Sequence, residues 1–536
     1  MNRIAALFAV LMCLATVLCG AEEQAEKPVE LRSLFRSGCV AYVEIPSVDG
    51  FLRASSETGL AEMFAMEQMA ELFSDTRAKS DLYKLVTTVL VKHEWGFAVG
   101  AYLKNGYVFG IRTRNGTARE FFETLLKTET GLEFDETLMP VEGEEGVYKS
   151  ETGILFSFDA ELMFVATSKA GLSFVGRDVD NSLAGLFEDS GAPHAPVDGY
   201  FVYANPASMP YTDIFDEGCE RPFARLTGLA GAGTVFWTGR PSGSRFTDKL
   251  TIKPRSTGWS GLAAAADKNR SPVFSGRLSS EALFALAADI PASRLLEVAL
   301  SEATEIQVKS VEGIQARAEK QLGMTLTQAL DEAFTGDAEF SVSLPSGAIL
   351  PRMALRFATS DTDKARALFE LLNDDALRVL PLLTTVNGHK LYYRKPIAQL
   401  PYTPSAMFGA DGFFAASSTV FVRSLLKDEN PPFPPAEGYG SDLSQRFYDK
   451  SVASFLLDGK QAVRWAYNGL LIARAGEIQL PFDIAKLPLP DELALHFGYS
   501  SANIMRVEDT FVFESSSDVP LAGVAMLAWV LASSLL

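Results

Sequence analysis

Apolar and polar residues alternate with a period of two in many short stretches of this chain, and each stretch ends at a turn-forming residue. Val40–Ile45 is the first and is closed by Pro46. Trp95–Tyr102 and Tyr107–Thr113 follow, joined through Lys104-Asn105-Gly106. Asn-Gly is a strong hairpin signal because both residues tolerate positive φ. Ile154–Phe158 and Leu162–Thr167 form a second pair hinged at Asp159-Ala160-Glu161, and Tyr200–Ala204 is a further strand. Between them the period changes to that of a helix. Asp49–Arg53 opens one helical stretch. Gly59–Phe73 is another, with Leu60, Met63, Phe64, Met66, Met69, Leu72 and Phe73 on it. Such a Met-rich face serves as adaptable core filler more often than as a binding surface. Thr117–Lys127 places Phe121, Phe122, Leu125 and Leu126 on one side.

The pattern then recurs. Phe236–Ala263, FWTGRPSGSRFTDKLTIKPRSTGWSGLA, has an echo in Phe497–Ala522, FGYSSANIMRVEDTFVFESSSDVPLA. Asp363–Leu372 matches Thr117–Leu126, Gly388–Tyr393 matches Gly146–Lys149, and Phe413–Ser418 matches Met163–Ser168. Val452–Leu457 likewise matches Phe201–Tyr203. The same order predicts a strand at Val273–Leu278, a helix at Ser280–Ala288, and a helix at Gly323–Phe334 leading into a strand at Glu339–Leu344. Met353–Phe357 is the next strand. Tight turns imply antiparallel pairing. The expected fold is α+β: two tandem related units, 39–270 and 271–518, each a mainly antiparallel sheet covered on one face by amphipathic helices. Asp267–Pro272 is the expected linker, and Pro431–Pro435 a stiff loop inside the second unit.

Both ends depart from this pattern. Residues 1–21 read as a signal peptide: Arg3, an apolar run from Ile4 to Leu18, then Cys19-Gly20-Ala21 before Glu22. Residues 22–38 read as a flexible lead-in. Residues 519–536, VPLAGVAMLAWVLASSLL, carry no charge. At about 1.5 Å per residue the tail reaches about 27 Å, close to a hydrocarbon core of about 30 Å. It is either a membrane anchor or a packed helix extending the second unit. Of four cysteines, Cys13 and Cys19 fall in the signal. Cys39 and Cys219 remain, and two readings stay open for them: a disulfide or two separate thiols.

Composition narrows the classes of function. The chain has 536 residues and a net charge of -19, with no basic patch to offset it. Such a surface repels phosphate backbones, so no nucleic-acid partner is expected. The four histidines, His93, His194, His389 and His496, have no second ligand at metal spacing. Ser242-Gly243-Ser244 is a turn, not a nucleophile elbow, and Gly459-Lys460 lacks the rest of a phosphate loop. Gly228, Gly231 and Gly233 do not have dinucleotide spacing. Asp178-Val179-Asp180-Asn181 resembles the start of a calcium loop without its central Gly and closing Glu. Glu144-Glu145 and Asp374-Asp375 read as solvated loop charges, and Trp95 and Trp237 as core or edge residues. No catalytic residue, metal site or cofactor is assigned.

Val40-Ala41-Tyr42-Val43-Glu44-Ile45-Pro46 before a Leu- and Met-rich helix resembles the opening of a group of uncharacterised secreted bacterial proteins. Gly146-Val147-Tyr148 and Ala416-Ser417-Ser418 resemble later motifs of that group. Arg36-Ser37-Gly38-Cys39 stands where those proteins carry Pro-x-Asp-Thr. The resemblance implies export and no particular activity.

Two readings follow. One is a non-enzymatic envelope protein that binds a protein, glycan or lipid, with membrane association through 519–536. The other is a secreted hydrolase whose carboxylates meet only in the fold, about 5–10 Å apart across a cleft. A scaffold built on the Met-rich helix would instead expose an apolar patch over Gly59–Phe73. If the tail anchors the protein, the full chain will pellet with membranes and resist carbonate, while a chain ending at Asp518 will stay soluble. Solubility of both would make the tail a packed helix.

Overall fold

The computed structural model describes residues 30–520, excepting 70–94, 103–105, 115, 131–132, 178–179, 209–227, 229–230, 256–257, 260, 266–281, 302–304, 345–350, 375–379, 387, 397–401, 411, 426–450 and 477–483. The signal, the linker, the proline loop, Cys219 and the tail beyond Pro520 lie outside the described residues, as does the strand expected at Val273–Leu278.

The fold is α+β, built on one large antiparallel sheet. Its first ten strands are β1 (Ala41–Ile45), β2 (Trp95–Tyr102), β3 (Gly106–Thr113), β4 (Leu138–Pro140), β5 (Val147–Ser150), β6 (Leu155–Asp159), β7 (Leu162–Ala166), β8 (Tyr200–Ala204), β9 (Ala232–Ser242) and β10 (Arg245–Pro254). The second ten are β11 (Ala282–Asp289), β12 (Phe334–Ser343), β13 (Arg352–Thr359), β14 (Leu382–Val386), β15 (His389–Tyr393), β16 (Ser405–Phe408), β17 (Gly412–Ala416), β18 (Ala453–Asp458), β19 (Tyr499–Val507) and β20 (Thr510–Ser517).

Neighbouring strands run β4-β5-β6-β7-β3-β2-β1-β8-β9-β10 through the first half of the chain. The second half runs β20-β19-β18-β11-β12-β13-β17-β16-β15-β14. β10 pairs with β20, so the sheet is continuous across both halves.

Local chemistry explains most of these elements. Gly106 follows the first hairpin turn at φ +83°, and Ala160 takes φ +45° at the second hinge. Thr325 caps Leu326–Ala333 through a capping box with Gln328. The helix expected at Ser280–Ala288 fails: residues 282–289 are strand β11. Their Ala- and Leu-rich sequence favours a helix locally. β12 on one side and β18 on the other take up the backbone hydrogen bonds, and that context overrides propensity.

In the first half, both faces of the sheet are covered, where the pattern predicts helices on one. Helices Val48–Ser55 and Ala118–Thr130 place Phe51, Leu52 and Phe121 over Ile45, Trp95, Tyr200 and Phe246. The opposite face holds Tyr42, Ala98, Val108, Phe164 and Phe201. It is sealed by helix Leu183–Asp189 and by a short 3-10 helix, Leu31–Leu34. Within the expected flexible lead-in, Leu31–Phe35 is therefore core. Leu31, Leu34 and Phe35 are all buried. Phe35 fits there because β2 and β3 carry glycine beneath it: its ring atoms lie 3.0 Å from where a Cβ on Gly100 or Gly110 would sit. In the second half, helices Leu326–Ala333 and Thr362–Asp374 cover one face and Thr419–Leu425 packs on the other.

The Met-rich stretch is helical over Gly59–Ala65 and breaks at Met66. Met63, Met66 and Met69 pack against Val463, Tyr467, Leu487 and Leu493, which belong to the second half. This face is an internal seam between the two halves.

Replacing Phe35 with Ala leaves a ring-sized void over two glycines, and the expected loss is about 3–5 kcal/mol of stability. Urea unfolding of the purified protein measures it. A loss below about 1 kcal/mol would show that the 31–35 segment is not part of the cooperative core.

Candidate binding site

An apolar cavity opens on the second half of the sheet. Its floor comes from three adjacent strands: Phe340 of β12 lies opposite Leu355 of β13, and Leu355 lies opposite Ala415 of β17. Met353, Ala354, Ala416, Ser417, Tyr402 and Pro404 complete the lining, and the volume is about 280 Å³. The space arises from side-chain size, because the Ala415 methyl stands in a row with the bulky Phe340 and Leu355. The Ser417 hydroxyl accepts from the Met353 N–H at 3.1 Å, so this polar atom already has a bond within the wall. No charged side chain is in the lining.

Charge is buried on the other face of the same strands. Arg356 donates to Glu339 at 2.7 Å, and both are almost wholly buried. Glu339 and Arg356 alternate along their strands with Phe340, Leu355 and Phe357, which point to the cavity side. A comparable pair lies in the first half. Arg32 of the sealing segment donates to Glu44 of β1 at 3.1 Å. Its guanidinium also stacks over Phe201 at 4.4 Å and Phe187 at 5.4 Å. Burial raises the Glu44 carboxyl above the ordinary carboxylate range, while the charge and hydrogen bond of Arg32 pull it down.

Three other buried carboxylates are occupied structurally. Asp248 accepts from Trp237 Nε1 at 2.9 Å and from the Tyr200 hydroxyl. Asp458 caps helix Gly459–Ala475 through the Gln461 N–H at 3.1 Å, and Asp518 accepts from the Gly498 N–H at 2.8 Å. None of them lines the cavity. They provide no facing acid–base pair there.

The residues weighed in the sequence are scattered. His93 lies outside the described residues. His194 is exposed beside Glu30 at 3.0 Å, His389 is exposed at the start of β15, and His496 meets Glu62 at 3.4 Å. Glu144 pairs with Lys169. Asp178 and Val179 lie outside the described residues, as does Asp375. Ser242-Gly243-Ser244 is the β9–β10 turn, with Gly243 at φ +59°. Trp95 is core, and Trp237 serves Asp248. Among the described residues, no cluster of His, Cys, Asp or Glu could hold a metal, and no helix is long and apolar enough to cross a membrane. Cys39 is buried and has no disulfide partner among the described residues, and burial pushes its thiol pKa up to about 12. Cys219, its partner in one of the two readings, lies outside the described residues. The cavity residues carried no motif; only the small-residue run FFAASS, read against its neighbours, marks the place.

No protein-family model matches the chain, and no curated protein matches it. Among solved structures, crystal form III of TP0453 aligns at a TM-score of 0.26 and 13% identity, covering 43% of this chain and 82% of that one. Crystal form I of TP0453 aligns at 0.24 and 11%, covering 42% and 80%. Likeness at that level carries no inference about fold or function.

Replacing Arg32 with Met leaves Glu44 buried without its cation, an expected loss of about 3–5 kcal/mol at neutral pH. The sign with pH follows from the raised pKa. A carboxyl whose folded pKa lies above its unfolded value gives stability at low pH that is lost as pH rises through the folded pKa. The deficit of the variant therefore narrows as pH falls, and adding Glu44→Gln removes that dependence. Urea unfolding across pH 5–8 reads both; a deficit unchanged over that range would mean Glu44 stays ionised without Arg32.

Proposed function

We propose that this chain is an exported, non-enzymatic envelope protein that holds an apolar ligand, such as an acyl chain, in the cavity over Phe340, Leu355 and Ala415. The observation that carries this reading is the chemistry of the wall: it has no charged side chain, its only side-chain polar groups are the hydroxyls of Tyr402 and Ser417, and the Ser417 hydroxyl is already engaged. A glycan site needs several convergent donors and acceptors, and a peptide site needs free backbone groups or charge. Acyl chains need neither. The cavity is near the lower bound of pocket size for small molecules, which fits one chain or a segment of one. Export rests on residues 1–21 and on the resemblance to secreted proteins, and residues 519–536 offer a membrane tether. The hydrolase reading lacks comparable support, since the cavity lining contains no carboxylate.

The same proposal includes two related units, 39–270 and 271–518, that share one sheet. Strand order supports it: moving outward from β10 and from β20, the strands follow the same succession, and helices Ala118–Thr130 and Thr362–Asp374 each follow the corresponding strand. The sequence echoes fall on these matching elements.

The test is titration of the delipidated full chain with a fluorescent palmitate analogue. Saturable binding is expected. Ala415→Trp fills the cavity from its floor and should weaken binding by about 10-fold or more without lowering the melting temperature comparably. Absence of acyl binding, or equal affinity in the folded Trp variant, would overturn the proposal.

A further inference from the structure

The two edges of the sheet are built differently. β4, the edge of the first half, has only Leu138, Met139 and Pro140. A three-residue edge ending in proline is poorly suited to further pairing. β14, the edge of the second half, is Leu382-Leu383-Thr384-Thr385-Val386. It has no proline, no glycine and no charge. Leu383, Thr384 and Thr385 are exposed, Leu383 by 55%. Among the described residues, β15 is its one strand neighbour.

The hairpin fixes which backbone groups remain open. Val386 pairs with His389 across a two-residue turn in which Gly388 adopts φ +83°. In such a hairpin, Val386, Thr384 and Leu382 direct N–H and C=O toward β15. Arg394 donates to Pro404 on the far side of β15 at 3.0 Å, which agrees with that alternation. Leu383 and Thr385 therefore direct their backbone groups outward.

We propose that this edge joins two copies of the chain, with β14 adding antiparallel to β14 of the second copy and carrying the sheet across both. Self-complementarity picks the occupant. Centred on Thr384, the pairing sets Leu383 against Thr385 of the second copy, and Thr385 against its Leu383. All four outward-facing N–H groups, two from each copy, then find outward-facing carbonyls. Leu382 meets Val386 on the opposite face, and Thr384 meets its own counterpart, all favourable cross-strand neighbours. Charge agrees. Chains with a net charge of -19 repel, but β14 is neutral, and the adjacent Lys390 is balanced by Glu370 at 2.6 Å. Identical copies can meet here without like charges facing each other.

Thr384 lies on the two-fold axis of this pairing, in a non-hydrogen-bonded site whose Cα atoms come within about 4.5 Å, close enough for a disulfide. Full-length Thr384→Cys should therefore cross-link under mild oxidation about 10-fold faster or more than Thr152→Cys, an exposed control away from the edge. Sedimentation of the purified protein should show a concentration-dependent dimer that Thr384→Lys abolishes by placing two cations face to face. Equal cross-linking of the two cysteine variants would overturn the proposal, as would a dimer that survives Thr384→Lys. A protein that stays monomeric at all concentrations, or one that captures only a different chain at β14, would overturn it as well.

Discussion

The whole sheet depends on one strand pair. β10 meets β20 over Phe246–Ile252 and Phe511–Ser517, and every other strand neighbour of either half lies to one side of that line. The pairing is central to the joint: Lys249 stands opposite Glu514, with their charged groups 3.0 Å apart. Around it, Arg245 donates to the Ser516 carbonyl at 3.0 Å and to that of Tyr499. Trp259 donates to the Asp509 carbonyl at 2.6 Å and sets its ring edge-on to Phe511. The half-exposed Lys249–Glu514 pair adds little by itself. The backbone ladder, the apolar cluster of Ile252, Trp259, Ile504 and Phe511, and the Met63, Met66 and Met69 seam to Leu493 also hold the halves together.

Given that joint, the faces of the sheet diverge. In the first half, an N-terminal segment brings Phe35 and Arg32 onto one face, and the strands accommodate them with Gly100, Gly110 and Glu44. In the second half, the corresponding strands carry their own charges, Glu339 and Arg356, on that face. Their opposite face is apolar and incompletely filled around Phe340. A buried ion pair is weak evidence for stability, but it penalises register slips, since a slip of one residue in either strand would turn that strand's charge to the apolar side and leave its partner unpaired.

Much of this architecture is legible in the sequence. The alternation in Trp95–Tyr102 and Tyr200–Ala204 matches β2 and β8, and the Phe121–Leu126 stripe lies in the helix that covers them. β11 was hidden because ALFALAA is a good helix in isolation, and its two flanking strands lie far away in sequence. The sealing role of Leu31–Phe35 was hidden by the polar composition just before it. The cavity was hidden for a different reason. Whether Ala415 stands beside Phe340 or across from it depends on register over three strands, which no local pattern encodes.

The position of β20 has a consequence for the order of folding. Every strand of the first half through β10 is synthesised by Pro254, yet the partner of β10 arrives only at Thr510–Ser517. Throughout elongation the Phe246–Ile252 edge therefore waits without its second neighbour, a seven-residue strand edge open to improper pairing. The final strand acts as a clasp. The strand edge that waits longest for its neighbour is the one later hidden at the centre of the sheet.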